Sequence, residues 1–221
     1  MYQRDYLMRM IQQFTNVLGE VLGLRKQHKQ ELAEAKLDEW LGRSLGLSLS
    51  LLKSLSEKDL IQLLSNANGL ETDRLILAAR VLKENGDWAA EDTGPESAYP
   101  YYHKALRLYL EAHHNGANDE LQPYHEQIGE LLDSLKPYVL EPETLSEICR
   151  YLEAEGRFAD AENYYGDWLE GHGGEHAAEQ AEGFYRRLLA MEDDRLEAGQ
   201  LPRDEVEDGL SWVQAKRETR A

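Results

Sequence analysis

The chain has 221 residues, with 24 Lys+Arg against 42 Asp+Glu and a formal charge of −18. Phosphate affinity is supplied by Lys and Arg, so this balance argues against a nucleic-acid-binding protein. Leu, Ala, Glu and Gln dominate while Val, Ile and Thr are scarce, which favours helix and argues against a large sheet.

The charge is uneven. Residues 1–60 hold 9 Lys+Arg and 8 Asp+Glu, and residues 61–221 hold 15 and 34. Two different regions are therefore expected, an N-terminal amphipathic helical region over 1–68 and a repeat-like helical region over 69–221. A single cysteine, Cys149, excludes an internal disulfide and fits a reducing compartment. The opening MYQRDYLMRMIQQF lacks the apolar core of a signal peptide. No run approaches the ~18 apolar residues of a spanning helix. A cytoplasmic protein with no membrane span is expected.

Taken in chain order, apolar residues at 7, 10, 11, 14, 17, 18, 21 and 22 follow the helical period and predict an amphipathic first helix. Its apolar face is wider than one neighbour covers, which leaves a homodimer or partner docking open as its further use. A second helix is predicted over about 28–43, completing an N-terminal helical hairpin. A Leu-rich turn follows, then a helix opened by a Ser56/Asp59 capping box and ended by Asn68-Gly69. Thr72 is the predicted cap of the next helix, which runs to the break DTGPES. Helices are predicted over 98–114, with Pro100 tolerable only in the first turn, and over 119–135, capped by Asn118. Pro142 opens another helix and Gly156 closes it; residues 158–170 form its partner. A long helix is predicted from Ala177 to Gly199, and a last one opened by an Asp204/Glu207 capping box. The expected fold class is all-α.

The stretch PETLSEICRYLEAEGRFADAENYYGDW resembles a tetratricopeptide repeat. Leu145, Ile148, Cys149 and Leu152 match its first helix, Gly156 and Phe158 its turn, and Ala161 and Tyr165 its second helix. Small side chains at Cys149 and Ala161 let two helices approach closely, and bulky neighbours fill the space beside them. Trp168 and Gly173 depart from the pattern. An echo upstream places Leu75, Ala78, Ala79 and Leu82 on a first helix, and Ala98 and Tyr102 on a second. Its spacing is seven residues longer, which predicts a first helix lengthened to about Asp92. The resemblance implies tetratricopeptide-like hairpins stacked as an α–α superhelix, flanked by the N-terminal hairpin and a long C-terminal helix. The whole chain also resembles a family of uncharacterised bacterial proteins, through MYQRDYLMRMIQQ, SLSEKDLIQLL and YPYYHKALRLYLEA. That family carries no activity to transfer.

Stacked hairpins leave a concave surface, here an acidic one. On the helix opened by Pro142, the side chains Glu143, Ser146, Arg150 and Glu153 are the expected groove residues, and Tyr99 and His103 line a second candidate face. Repeats that clamp a terminal carboxylate use several Lys, Arg and Asn. One Arg argues against that, so a basic or amphipathic protein segment is the expected partner. The alternative is a regulatory or sensor protein that binds a peptide or small ligand and moves its N-terminal helices. No catalytic centre, cofactor or metal is expected. His172, Glu175, His176 and Glu179 read as a polar loop and an acidic helix start, and His113-His114 as a helix C-terminus.

Overall fold

In the computed structural model the chain is described over residues 2–66, 69–116, 123–171 and 174–220. Among these residues it forms twelve helices and one two-residue antiparallel ladder, Ser65↔Leu70 and Asn66↔Gly69. The fold class is all-α, and none of the described helices is long and apolar enough to cross a membrane. Contacts divide the chain into two compact units, Met1–Pro137 and Tyr138–Ala221. The boundary expected at 68/69 lies inside the first unit. A long-range tie accounts for this: Lys104 Nζ donates to the carbonyls of Lys53 at 2.9 Å and Leu55 at 2.5 Å, joining segments on either side of residue 68.

In the first unit, α1 (Tyr2–Lys26) and α2 (Gln30–Leu45) form the expected hairpin. Met10, Phe14 and Val21 are buried, as are Ala33, Leu37, Trp40 and Leu41, and the Phe14 and Trp40 rings lie 4.9 Å apart. The Leu-rich turn is a short helix, α3 (Leu49–Ser54), because Ser48 Oγ caps it by accepting from Leu51 N. Helix α4 (Glu57–Leu63) opens on the expected capping box: Ser56 Oγ accepts from Asp59 N at 3.1 Å and donates to its carboxylate at 2.6 Å. The helix ends well before Asn68, where the chain turns into the ladder; Asn68 itself lies outside the described residues.

The centre of this unit is the pair α5 (Thr72–Thr93) and α6 (Pro95–His114). The lengthened helix predicted to reach Asp92 is present, and Leu75, Ala78, Ala79, Leu82 and Ala98 are all buried. Thr72 is not its cap. That position belongs to Glu71, whose carboxylate pairs with Arg74 at 3.1 Å. Gly94 makes the turn at φ 103°, and Pro95 opens α6 three residues before the expected start. Pro100 consequently falls inside the helix. It and Glu96, whose carbonyl loses its partner, are both exposed, so water can serve the orphaned oxygen. The two helices touch at Gly86, where a Cβ would stand 2.5 Å from the Tyr102 ring. Helix α7 (Pro123–Leu135) is tied to α5 by Lys83, whose ammonium lies 2.9 Å from Glu130 and 3.0 Å from Asp87. Asn118 and residues 119–122 lie outside the described residues.

In the second unit, α8 (Pro142–Ala154) and α9 (Phe158–Glu170) have the expected bounds, with Gly156 in the left-handed region at φ 72°. The expected long helix is two pieces, α10 (Gly174–Leu189) and α11 (Asp193–Ala198). Arg203 explains the break. Its guanidinium donates to the carbonyls of Leu189 at 3.0 Å and Met191 at 2.7 Å and pairs with Asp193, stopping the helix from beyond its end. Helix α12 (Arg203–Arg220) begins one residue before Asp204, so the Asp204/Glu207 box is not formed and Asp204 sits in the acidic first turn. The link between α11 and α12 folds back onto the α8–α9 turn. There Gly199 O accepts from Ala159 N at 3.1 Å, and a Cβ on Gly199 would collide with the Phe158 ring. Glu182 of α10, whose side chain is 9% exposed, accepts from Arg186, Gln214 and Arg217 and holds α12 in place.

Candidate binding groove

The feature with most chemical content lies in the second unit, along α9 and α12, with α10 behind them. It is an open groove of about 560 Å³, within the range of ligand-binding clefts. Helix α9 contributes Glu162, Asp167 and Glu170, and α12 contributes Glu205, Asp208 and Trp212. Tyr185 of α10 forms the buried back wall, and its hydroxyl donates to Glu162 at 2.8 Å. Gly209 makes this possible, because a Cβ there would run into the Tyr185 ring.

The electrostatics are one-sided. Among the described residues, none of the five carboxylates is paired with a Lys or Arg, although other acids of this unit are: Glu153, Glu175, Glu182 and Asp193 all are. Burial pushes the Glu162 carboxyl above its usual range, the Tyr185 hydrogen bond opposes that shift, and the neighbouring Glu205 charge adds to it. Trp212 is 41% exposed, and Lys216 places its ammonium 4.2 Å from the centre of that ring. The groove thus offers concentrated negative charge beside a partly exposed aromatic ring that already draws one cation, a combination suited to cationic side chains.

A family model matches residues 1–218, that of the family of unknown function DUF6483. The chain belongs to DUF6483. No curated protein and no solved structure matches it.

In this DUF6483 chain the sequence-predicted site residues fall in both units. Glu143 and Arg150 on α8 are exposed and Ser146 is half-buried. Glu153 is engaged: Arg187 of α10 grips its two oxygens at 2.6 and 2.8 Å, and this bond raises the Arg187 pKa. Its role is to join α8 to α10. Tyr99 and His103 belong to the first unit, their rings stacked 5.7 Å apart on α6. His103 Nδ1 lies 3.4 Å from Glu57 Oε1, and the hydrogen bond from His103 holds that carboxyl down to about 2. The pair therefore fastens α4 to α6. Glu175 is taken by Arg217 and the His176 ring abuts Trp168, while His172 lies outside the described residues. Cys149 is buried, and burial pushes its thiol up.

A second groove of the DUF6483 chain, between α2 and α3, holds Glu34, Asp38 and Lys53. Apart from the exposed Glu31, which also lines it, its charges are answered within the chain. Lys53 lies 3.6 Å from Glu34, and Asp38 accepts from Leu49 N. The α9/α12 groove is the better candidate for that reason.

Sequence reasoning missed the α9/α12 groove because its two walls lie far apart along the chain. One signal was present. Gly166 and Gly209 sit inside helices, where glycine is unfavourable, and both line this groove.

Proposed function

We propose that this DUF6483 chain is a non-enzymatic interaction module. Its hairpins are tetratricopeptide-like, and its second unit takes a basic protein segment in the α9/α12 groove. The observation that carries this reading is the set of five carboxylates, without Lys or Arg ion-pair partners among the described residues, beside an exposed Trp212. Like charges held close together raise the local potential, and a Lys- or Arg-bearing segment relieves that repulsion on docking. Trp212 adds a flat apolar surface for the aliphatic stems of those side chains. The lone thiol fits a reducing compartment, so the proposed partner is a cytoplasmic one.

The reading is tested by titrating a Lys/Arg-rich peptide carrying one aromatic residue against the intact chain, with Glu205→Lys plus Asp208→Lys as the variant. Binding that weakens at least about ten-fold in the variant, and that falls with added salt, supports the groove. Equal affinity in both proteins excludes it.

A further inference from the structure

We infer that Lys216 is a built-in competitor at this groove, holding the ring of Trp212 until a Lys or Arg of the partner displaces it. The inference rests on the groove being the binding site. Glu205, Asp208, Trp212 and Lys216 follow one another on α12 at intervals of three and four residues, so they form one stripe along the helix. The first three line the groove, and Lys216 stands one turn beyond. Its ammonium lies 4.2 Å from the ring centre, inside the ~6 Å reach of a cation–π contact.

The charge contact of Lys216 there is with the ring. Among the described residues no carboxylate forms an ion pair with it, whereas the adjacent Arg217 is committed to Glu175 and Glu182. The chain therefore already presents a cation at the aromatic face that its acidic groove borders. An incoming Lys or Arg can take the position over Trp212 that Lys216 holds only while Lys216 is away. The fraction of time that the ring is free multiplies the intrinsic affinity. An exposed cation–π contact corresponds to a factor of about two to five. Lys216 thus sets how strongly the groove discriminates a cation that stacks from one that merely neutralises charge.

The test is a double-mutant cycle on the full chain, read by titration with an (Arg-Gly)4 peptide. Lys216→Met is expected to tighten binding about three-fold in the natural background. In a Trp212→Leu background the same substitution is expected to give a clearly smaller gain, the part due to charge alone. Lys216→Arg, which keeps both the charge and the ring contact, is expected to bind as the unaltered protein does. If Trp212→Leu is poorly folded, Trp212→Phe serves, since a weaker ring must give a smaller gain. An equal gain in both backgrounds, or none in either, overturns the competitor role. If the peptide binds but Glu205→Lys plus Asp208→Lys leaves its affinity unchanged, the groove itself is wrong; binding lost in that variant yet indifferent to Lys216→Met removes the competitor alone.

Discussion

Cys149 Sγ lies 3.9 Å from the carbonyl oxygen of Ala161, with both residues fully buried. This is the crossing of α8 and α9, and its closeness requires small side chains on each helix. Leu at both positions overfills it, and each substitution is expected to cost about 1–3 kcal/mol. Urea unfolding followed by circular dichroism should show a large fall in midpoint for Cys149→Leu plus Ala161→Leu. The exposed control Ala154→Leu on the same helix should stay within about 0.5 kcal/mol. The same burial predicts that thiol reagents label Cys149 only after denaturation.

Two helical glycines of the first unit should respond in opposite directions. A Cβ on Gly86 would press against Tyr102, whose hydroxyl is fixed by Asp87 at 2.7 Å. Gly86→Ala is expected to destabilise by about 1–2 kcal/mol after the gain in helix propensity is subtracted. Gly129 in α7 has nothing within 4 Å of its Cβ position. Gly129→Ala is expected to stabilise by about 0.5–1 kcal/mol. Thermal melts of the two variants check the sign of each.

The Glu57–His103 contact predicts how acid affects the first unit. Hydrogen bonding from His103 holds the Glu57 carboxyl at about 2 in the fold, below its ordinary value of 4.5. A carboxylate depressed in the folded state adds stability that is full above the unfolded pKa and is lost as pH falls through the folded one. The contribution should therefore fade between about pH 4.5 and 2. Glu57→Gln should lower stability at pH 6 and converge on the unaltered protein near pH 2, as read by denaturant titrations across that range.

Local signals carried most of the architecture. Ser56 and Asp59 announce the start of α4 within four residues, and Gly156 marks the α8–α9 turn. The seven-residue excess between Leu75 and Ala98 correctly lengthens α5. What stayed hidden depends on partners distant in sequence. The break between α10 and α11 is imposed by Arg203, which no periodicity within 177–199 reveals. The charge asymmetry behind a boundary at 68/69 says nothing about Lys104 reaching back about fifty residues to Lys53 and Leu55. The Glu153–Arg187 pair is hidden for the same reason, because the spacing of α8 says nothing about Arg187 on α10. The candidate groove needs α9 and α12 side by side, so its acids read as ordinary solvated faces until those helices are placed.

Hydrogen exchange across the whole chain, with and without a saturating Lys/Arg-rich peptide, tests the central claim most directly, because it reports where binding occurs. Amides of the walls, over 158–170 and 203–214, should slow in the presence of peptide, with α8 over 142–154 changing little. Protection confined to α8, or none in either wall while the peptide is bound, would contradict the account.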